Sequence, residues 1–379
     1  MKTIIIFGAG KFGKMALREY GNKVAYFVDN NVNLIGNKIE GISIIDFKML
    51  CEIKDNYEIV IATKYYEPVV HQLESVGIQA FRIYQTDIYQ YYPTKELVWN
   101  PYQEGGEYLL DGDFVTDFKI LEINNQVDNL FKYPELFNHI EIETINRCNG
   151  ICDFCPISKH YDTREYAVMN RMLFEKIIDQ LAEMDYSGKL ALFSNNEPFL
   201  DQDIIDKHKY AREKLPKARM HLFTNGTLLN LEKFVTVTKY LDELIIDNYQ
   251  QELKLIKPCA EIQAYCEQHP ELKEKVTIVL RKPHEILSSR GGDAPNKSKV
   301  DMFPDAKCVL PFKQMIIRPD GKVSLCCNDP LGKNTLGDVS KESLLDIWYN
   351  DKFKMVRQCL HEGRRNWGHC IHCDAFNIG

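Results

Sequence analysis

Cys148-Asn149-Gly150-Ile151-Cys152-Asp153-Phe154-Cys155-Pro156 sets three cysteines in a C-x3-C-x2-C run. Just upstream, Ile140 to Thr144 reads as a short buried strand, so the run occupies the loop that leaves its carboxyl end. Thiolates bind soft iron or zinc, and so short a loop lets three of them converge on one centre. Three ligands are one short of the usual four. An iron–sulfur cluster held this way keeps one iron open. Spacing alone also leaves a zinc knuckle completed by His160, or three coincident core cysteines.

Downstream, Leu190 to Phe193, Met220 to Phe223, Leu244 to Asp247 and Val276 to Leu280 read as further strands with helices between them. The clearest helix follows Asn170, a good N-cap, and its stripe of Leu173, Ile177, Leu181 and Met184 is core. This alternation predicts a parallel α/β sheet or partial barrel, with sites at the carboxyl ends of the strands. A sixth strand is not evident. Near the amino terminus, Ile4 to Phe7 runs straight into Gly8-Ala9-Gly10-Lys11-Phe12-Gly13, a G-x-G-x-x-G between a strand and a helix. Strands Val24 to Val28, Glu58 to Ala62 and Ala80 to Ile83 complete a small Rossmann-like parallel sheet. Gly8, Gly10 and Gly13 would let a phosphate approach the helix start, and Asp29, closing the second strand, would bond a ribose. The partition is 1–88, a Rossmann-like nucleotide-binding domain; 89–137, a packed connector; 138–300, the partial barrel; and 301–379, a small cysteine-rich hairpin-plus-helix domain. In the last, Lys313 to Arg318 and Lys322 to Leu325 flank the turn Pro319-Asp320-Gly321, and a helix runs from Ser343 to Cys359.

The composition limits the function. The chain has 379 residues, a net charge of -7 and 27% charged residues. That excludes a collagen, a disordered tail and strong nonspecific nucleic-acid binding. No export signal and no membrane span is found, so the expected location is cytoplasmic. Twelve cysteines in a reducing compartment read as ligands or catalysts before disulfides.

The cysteine run, with an aromatic at Phe154 before the third cysteine and a position after the first barrel strand, resembles the signature of the radical S-adenosylmethionine superfamily. The resemblance implies a [4Fe-4S] cluster on Cys148, Cys152 and Cys155, with S-adenosylmethionine on the open iron. Reductive cleavage then yields a 5'-deoxyadenosyl radical that abstracts a substrate hydrogen. Ser194-Asn195-Asn196-Glu197-Pro198 stands where the family carries Gly-Gly-Glu-Pro, so Asn195, Asn196 and Glu197 become candidate cofactor contacts, Glu197 to the ammonium. Two asparagines replace two glycines; Asn tolerates left-handed backbone better than most residues. Thr224-Asn225-Gly226 resembles the family's Thr-Asn-Gly turn, and Thr224 and Asn225 join the cofactor set. Asp247 and Asn248 are candidates for the ribose and Arg281 for the carboxylate. No catalytic side chain is assigned.

Cys308, Cys326, Cys370 and Cys373 form a second set, with Cys327 beside Cys326. By spacing, zinc ribbon and iron–sulfur are near equal. Beside the first signature, they resemble the auxiliary-cluster domain called SPASM in its full form and twitch in its short form. The chain ends at Gly379, six residues after Cys373, so one fully ligated auxiliary [4Fe-4S] cluster is expected. Cys51, Cys259, Cys266 and Cys359 read as inert thiols, and His369 and His372 as loop residues. The expected activity is oxidation or rearrangement of a carbohydrate-like or nucleotide-linked small molecule. A flavodoxin or ferredoxin would donate electrons, and the amino-terminal glycines would hold a nucleotide or nucleotide-sugar. The alternatives are a peptide-modifying maturase and a zinc-stabilised binding protein without radical chemistry.

Overall fold

Ile4 to Phe7 are buried on both faces, as the central strand of a covered parallel sheet must be. A computed structural model describes residues 3–63, 66–84, 96–101, 116–284, 287–297, 299, 301 and 303–375. Pro93, the Asp111-Gly112 pair and much of the connector lie outside them. The amino-terminal strands are β1 (Thr3–Phe7), β2 (Val24–Val28), β3 (Lys38–Ile39), β4 (Ile42–Ile45), β5 (Tyr57–Ile61) and β6 (Phe81–Ile83). Their order is β3-β4-β2-β1-β5-β6, parallel except for the β3–β4 hairpin. The chain winds one way from β1 to β4 and the other way from β5 to β6. The glycine loop after β1 therefore lies at the reversal, where doubly wound sheets leave a crevice. The sequence reading lacks β3 and β4, because four residues between Gly41 and Asp46 are too few for a periodic signal.

The second sheet holds β7 (Val98–Trp99), β8 (His139–Ile142), β9 (Lys189–Ala191), β10 (Arg219–Thr224), β11 (Glu243–Tyr249), β12 (Val276–Arg281), β13 (Gln314–Ile317), β14 (Lys322–Ser324) and β15 (Thr335–Asp338). Strands β8 to β12 run parallel in sequence order with helices between, the expected partial barrel. Both edges are extended, which corrects the five-strand reading. The connector strand β7 pairs with β12, and β13 pairs in parallel with β8, Met315 opposite Ile140. The predicted hairpin forms, but β13 makes it a continuation of the barrel sheet. One core joins the regions, with Ile140, Ile177 and Leu181 packing in the same cluster as Met315, Val323 and Trp348. The connector helix Thr116–Lys132 lays Ile123, Val127 and Leu130 on Ala306, Val309 and Phe312.

The helix expected over Ser343 to Cys359 is two helices, Leu344–Trp348 and Asp351–Glu362. Ser343 caps the first by accepting from the Asp346 amide, and Asn350 caps the second by accepting from the Phe353 amide. A second capping residue so close behind the first ends one helix and starts another. Among the described residues no helix is long and apolar enough to cross a membrane.

Candidate active site

Cys148, Cys152 and Cys155 line one cavity of about 180 Å³ at the carboxyl ends of β8 to β11. Gly150 keeps their centre clear: a Cβ there would lie 3.3 Å from Cys148 Sγ and 3.8 Å from Cys152 Sγ. Burial pushes the Cys148 thiol up to about 12 and raises Cys152 further. Thiolates form here only beside a compensating positive charge, such as iron supplies. His160, which would complete a zinc knuckle, is exposed. Among the described residues no three His, Cys, Asp or Glu side chains gather as a single-ion site. A zinc ion needs its sulfurs at about 2.3 Å, whereas a four-iron cube spreads its ligands over separate irons.

Glu197 is 1% exposed. Its carboxylate accepts from Thr224 Oγ1 at 2.8 Å, from the Asn225 amide at 2.8 Å and from the Phe199 amide at 3.1 Å. Burial raises its pKa and these donors oppose the rise. Asn225 Nδ2 donates to Asn149 Oδ1 at 2.8 Å, which ties the third-strand turn to the cysteine loop. The two asparagines do not use left-handed backbone; neither is among the described residues with positive φ. Instead, Asn196 Oδ1 accepts from the Ser194 amide and closes a tight turn. Asn196 Nδ2 is buried, lines the cavity and has no hydrogen-bond partner, so it suits an acceptor on a bound cofactor. Asn195 lines the cavity too, and its Nδ2 donates to the Cys327 carbonyl at 3.2 Å, joining the barrel to the cysteine-rich region.

Asp247 and Arg281 face each other, Oδ1 to Nε at 3.5 Å. Asn248 is used structurally, donating to the Lys254 carbonyl and accepting from the Ile256 amide. A wider cavity of about 420 Å³ shares Phe154, Phe193, Ser194, Phe223, Asp247, Tyr249 and Arg290 with the first. It adds Trp99, His139, Glu141, His221, Arg281 and Cys327. Of these, Glu141, His139, His221 and Arg290 escaped the sequence reading. The first had a signal: His139, Glu141 and Glu143 alternate with Ile140 and Ile142, placing polar groups on one strand face. Burial pushes the Glu141 carboxyl up to about 7. Arg290 had none, since it lies beyond β12 at the start of a short kinked 3-10 turn, Arg290–Gly292, at φ 51°.

In the second set, burial raises the Cys326 thiol, with Cys327, Cys308, Cys370 and Cys373 adding repulsion. Cys370 is raised by burial and by Cys308 and Cys373. The four sulfurs therefore share one neighbourhood, and neither cavity is lined by them. Arg364, 1% exposed, donates to the Cys373 and Ala375 carbonyls at 2.6 Å and lowers the cost of thiolates at Cys370 and Cys373. Cys327 turns to the wide cavity, beside Glu141 and Arg290. His369 hydrogen-bonds the Asn328 carbonyl through Nε2. Cys259 and Cys266 are buried in the core.

At the amino-terminal loop, a Cβ on Gly13 would stand 1.8 Å from the Gly8 carbonyl oxygen, so only glycine lets the helix pack there. A Cβ on Gly10 would meet nothing within 4 Å. Asp29 braces the loop, accepting from the Ala9 amide and the Asn31 amide at 2.8 Å each.

A partial barrel with three loop thiols beside a buried, hydrogen-bonded Glu197 is the architecture of a radical S-adenosylmethionine enzyme. The sequence model of the radical SAM superfamily matches residues 142–249, and that of SPASM, an iron–sulfur cluster-binding domain, matches residues 308–374. The S-adenosyl-L-methionine-dependent 2-deoxy-scyllo-inosamine dehydrogenase of Niallia circulans is 28% identical over 251 residues, 64% of this chain and 95% of that protein. A crystal structure of BtrN in complex with AdoMet and 2-DOIA superposes with a TM-score of 0.56 and 27% identity, covering 65% of this chain and 95% of that one. BtrN in an open conformation gives a TM-score of 0.48 and 23% identity over 64% of this chain and 94% of that one. Residues 142–249 carry a radical SAM superfamily domain and residues 308–374 a SPASM domain, and a radical SAM oxidoreductase fits both.

Proposed function

We propose that this enzyme dehydrogenates a hydroxylated, carbohydrate-like small molecule held between two iron–sulfur centres. The observation that carries the reading is the pair of joined cavities: one ends on Cys148, Cys152 and Cys155, the other on Cys327 next to the second cysteine set. Cys148, Cys152 and Cys155 would hold one cluster and leave its fourth iron open. Cys308, Cys326, Cys370 and Cys373 would hold the other closed. The bound cluster and S-adenosylmethionine together supply one-electron abstraction of a hydrogen atom from the substrate. Glu197 and Asn196 would orient the cofactor, with Thr224, Asn225, Asp247 and Arg281 at its edges. Phe154, Phe193 and Phe223 wall the reacting space and deny it stray hydrogen donors. The closed centre would accept the second electron, and an external flavodoxin or ferredoxin would reduce the open one. The similarity to 2-deoxy-scyllo-inosamine dehydrogenase supports this substrate class.

Residues 1–88 we assign to nucleotide or nucleotide-sugar binding at Gly8, Gly10, Gly13 and Asp29, because open space faces Gly10 at the start of a helix. The connector 89–137, the barrel 138–300 and the auxiliary domain 301–379 complete the partition. Twelve free cysteines support a reducing compartment. The zinc reading loses ground because no single-ion site is gathered among the described residues. Anaerobic incubation with S-adenosylmethionine, dithionite and ring-deuterated 2-deoxy-scyllo-inosamine tests the proposal. Deuterium should pass into 5'-deoxyadenosine, with a ketone as product. Deuterium-free 5'-deoxyadenosine would overturn the substrate class, and no 5'-deoxyadenosine would overturn the radical chemistry.

A further inference from the structure

The wide cavity runs down into the barrel, away from the three thiols, to a floor that the chemistry above does not use. His139 opens β8, and His221 lies in β10 in register with Ala191, itself opposite Glu141. The two imidazoles stand 5.2 Å apart. His221 is 9% exposed, packs edge-on against Phe193 and Phe223, and makes no hydrogen bond to a described residue.

Gln314 fixes the other ring. Its amide nitrogen donates to Glu141 Oε1 at 2.8 Å and lies 3.3 Å from His139 Nδ1, while its amide oxygen accepts from the Cys327 amide at 3.4 Å. An amide donor on Nδ1 places the ring proton on Nε2. That Nε2 is buried and has no hydrogen-bond partner; Glu141 Oε1 stands off at 3.7 Å. A buried donor with nothing to receive it is costly unless a ligand takes it.

We propose that His139 and His221 are specificity-determining residues: they hydrogen-bond hydroxyl or amino groups on the part of the substrate remote from the reacting carbon, and they select an unphosphorylated polyhydroxylated ring against its phosphate ester. This rests on the reading of the cavity as the substrate site. The neutrality of the two rings supports it. Burial lowers the pKa of His139 to about 4 and that of His221 to about 3, so both rings are neutral at pH 7. Glu141 borders the floor beside His139, Lys189 on β9 and Arg219 on His221's own strand also lower His221, and Arg281 and Arg290 stand on the wall of the same cavity. A neutral imidazole pair pairs with hydroxyls and amines but brings no charge of its own to offset the desolvation of a phosphate dianion.

The test uses anaerobically reconstituted full-length protein with S-adenosylmethionine and three probes: 2-deoxy-scyllo-inosamine, glucosamine and glucosamine 6-phosphate. Calorimetry should show binding of at least one unphosphorylated probe, and the phosphate ester should bind at least about tenfold more weakly than glucosamine. His221→Phe should weaken the bound probe about tenfold, the loss of one neutral hydrogen bond, and His221→Asn should recover part of it. Should His221→Phe fail to fold by circular dichroism and iron content, His139→Leu against His139→Gln makes the same comparison. Equal binding by the apolar and polar variants, a preference for the phosphate ester, or no binding of either unphosphorylated probe would overturn the proposal. Formation of 5'-deoxyadenosine by the wild-type protein with dithionite and each probe is measured in parallel. Its absence counts against the radical chemistry and leaves the binding comparison standing.

Discussion

The two cysteine sets use the same side chain for opposite ends. Cys148, Cys152 and Cys155 sit on one short loop and line a cavity, with Glu197 and Asp247 as anionic neighbours. Cys308, Cys326, Cys370 and Cys373 come from segments up to 65 residues apart (Cys308 to Cys373). They line neither cavity and have the buried cation Arg364 beside them. Openness invites a ligand onto the metal; closure with a compensating cation holds charge and passes electrons. Cys326 and Cys327 carry the contrast inside one dipeptide: the first sulfur faces the closed set, the second the wide cavity.

The largest expected effect breaks the open side. Cys152→Ala should reduce S-adenosylmethionine cleavage to background and drop iron from about eight to about four per chain, leaving the closed cluster. Surviving cleavage would contradict the assignment. Next comes the dipeptide: Cys326→Ala should lose the closed cluster's iron, and Cys327→Ala should keep it, both read by iron analysis. Glu197→Gln should weaken S-adenosylmethionine binding about 10–100-fold in equilibrium dialysis, because it removes the anionic charge and sets an NH2 group against either the Asn225 amide or the Thr224 and Phe199 donors.

The smallest effect concerns the floor between the sets. Glu141 has its pKa raised by burial from 4.5 to about 7, so the folded protein retains a proton there that the unfolded chain has released. Stability contributed by this group is therefore present below pH 4.5 and is lost as pH rises to about 7. Glu141→Gln should stabilise the protein at pH 8 by on the order of 1–3 kcal/mol and leave it unchanged at pH 4, read as thermal midpoints at matched iron content. An equal shift at both pH values would refute the buried-carboxyl account.

Legibility followed locality. The glycine loop, the first cysteine run and the Pro319-Asp320-Gly321 hairpin are each written within a dozen or so residues, and each forms where read. The sheet edges were hidden, because β13 pairs with β8 across 175 residues, as Gln314 does with His139. Asn195 and Asn196 were legible as a site but not as a geometry; their side chains, not left-handed backbone, shape the turn. His221 read as one polar residue in a buried strand until the register set it across from Glu141's layer.

The most direct test of the open-and-closed account is electron paramagnetic resonance of the reduced, reconstituted protein with and without S-adenosylmethionine. The account predicts two cluster signals, of which S-adenosylmethionine shifts one, and Cys152→Ala removes the one that shifts. A single signal, or two signals both unmoved by S-adenosylmethionine, would contradict it.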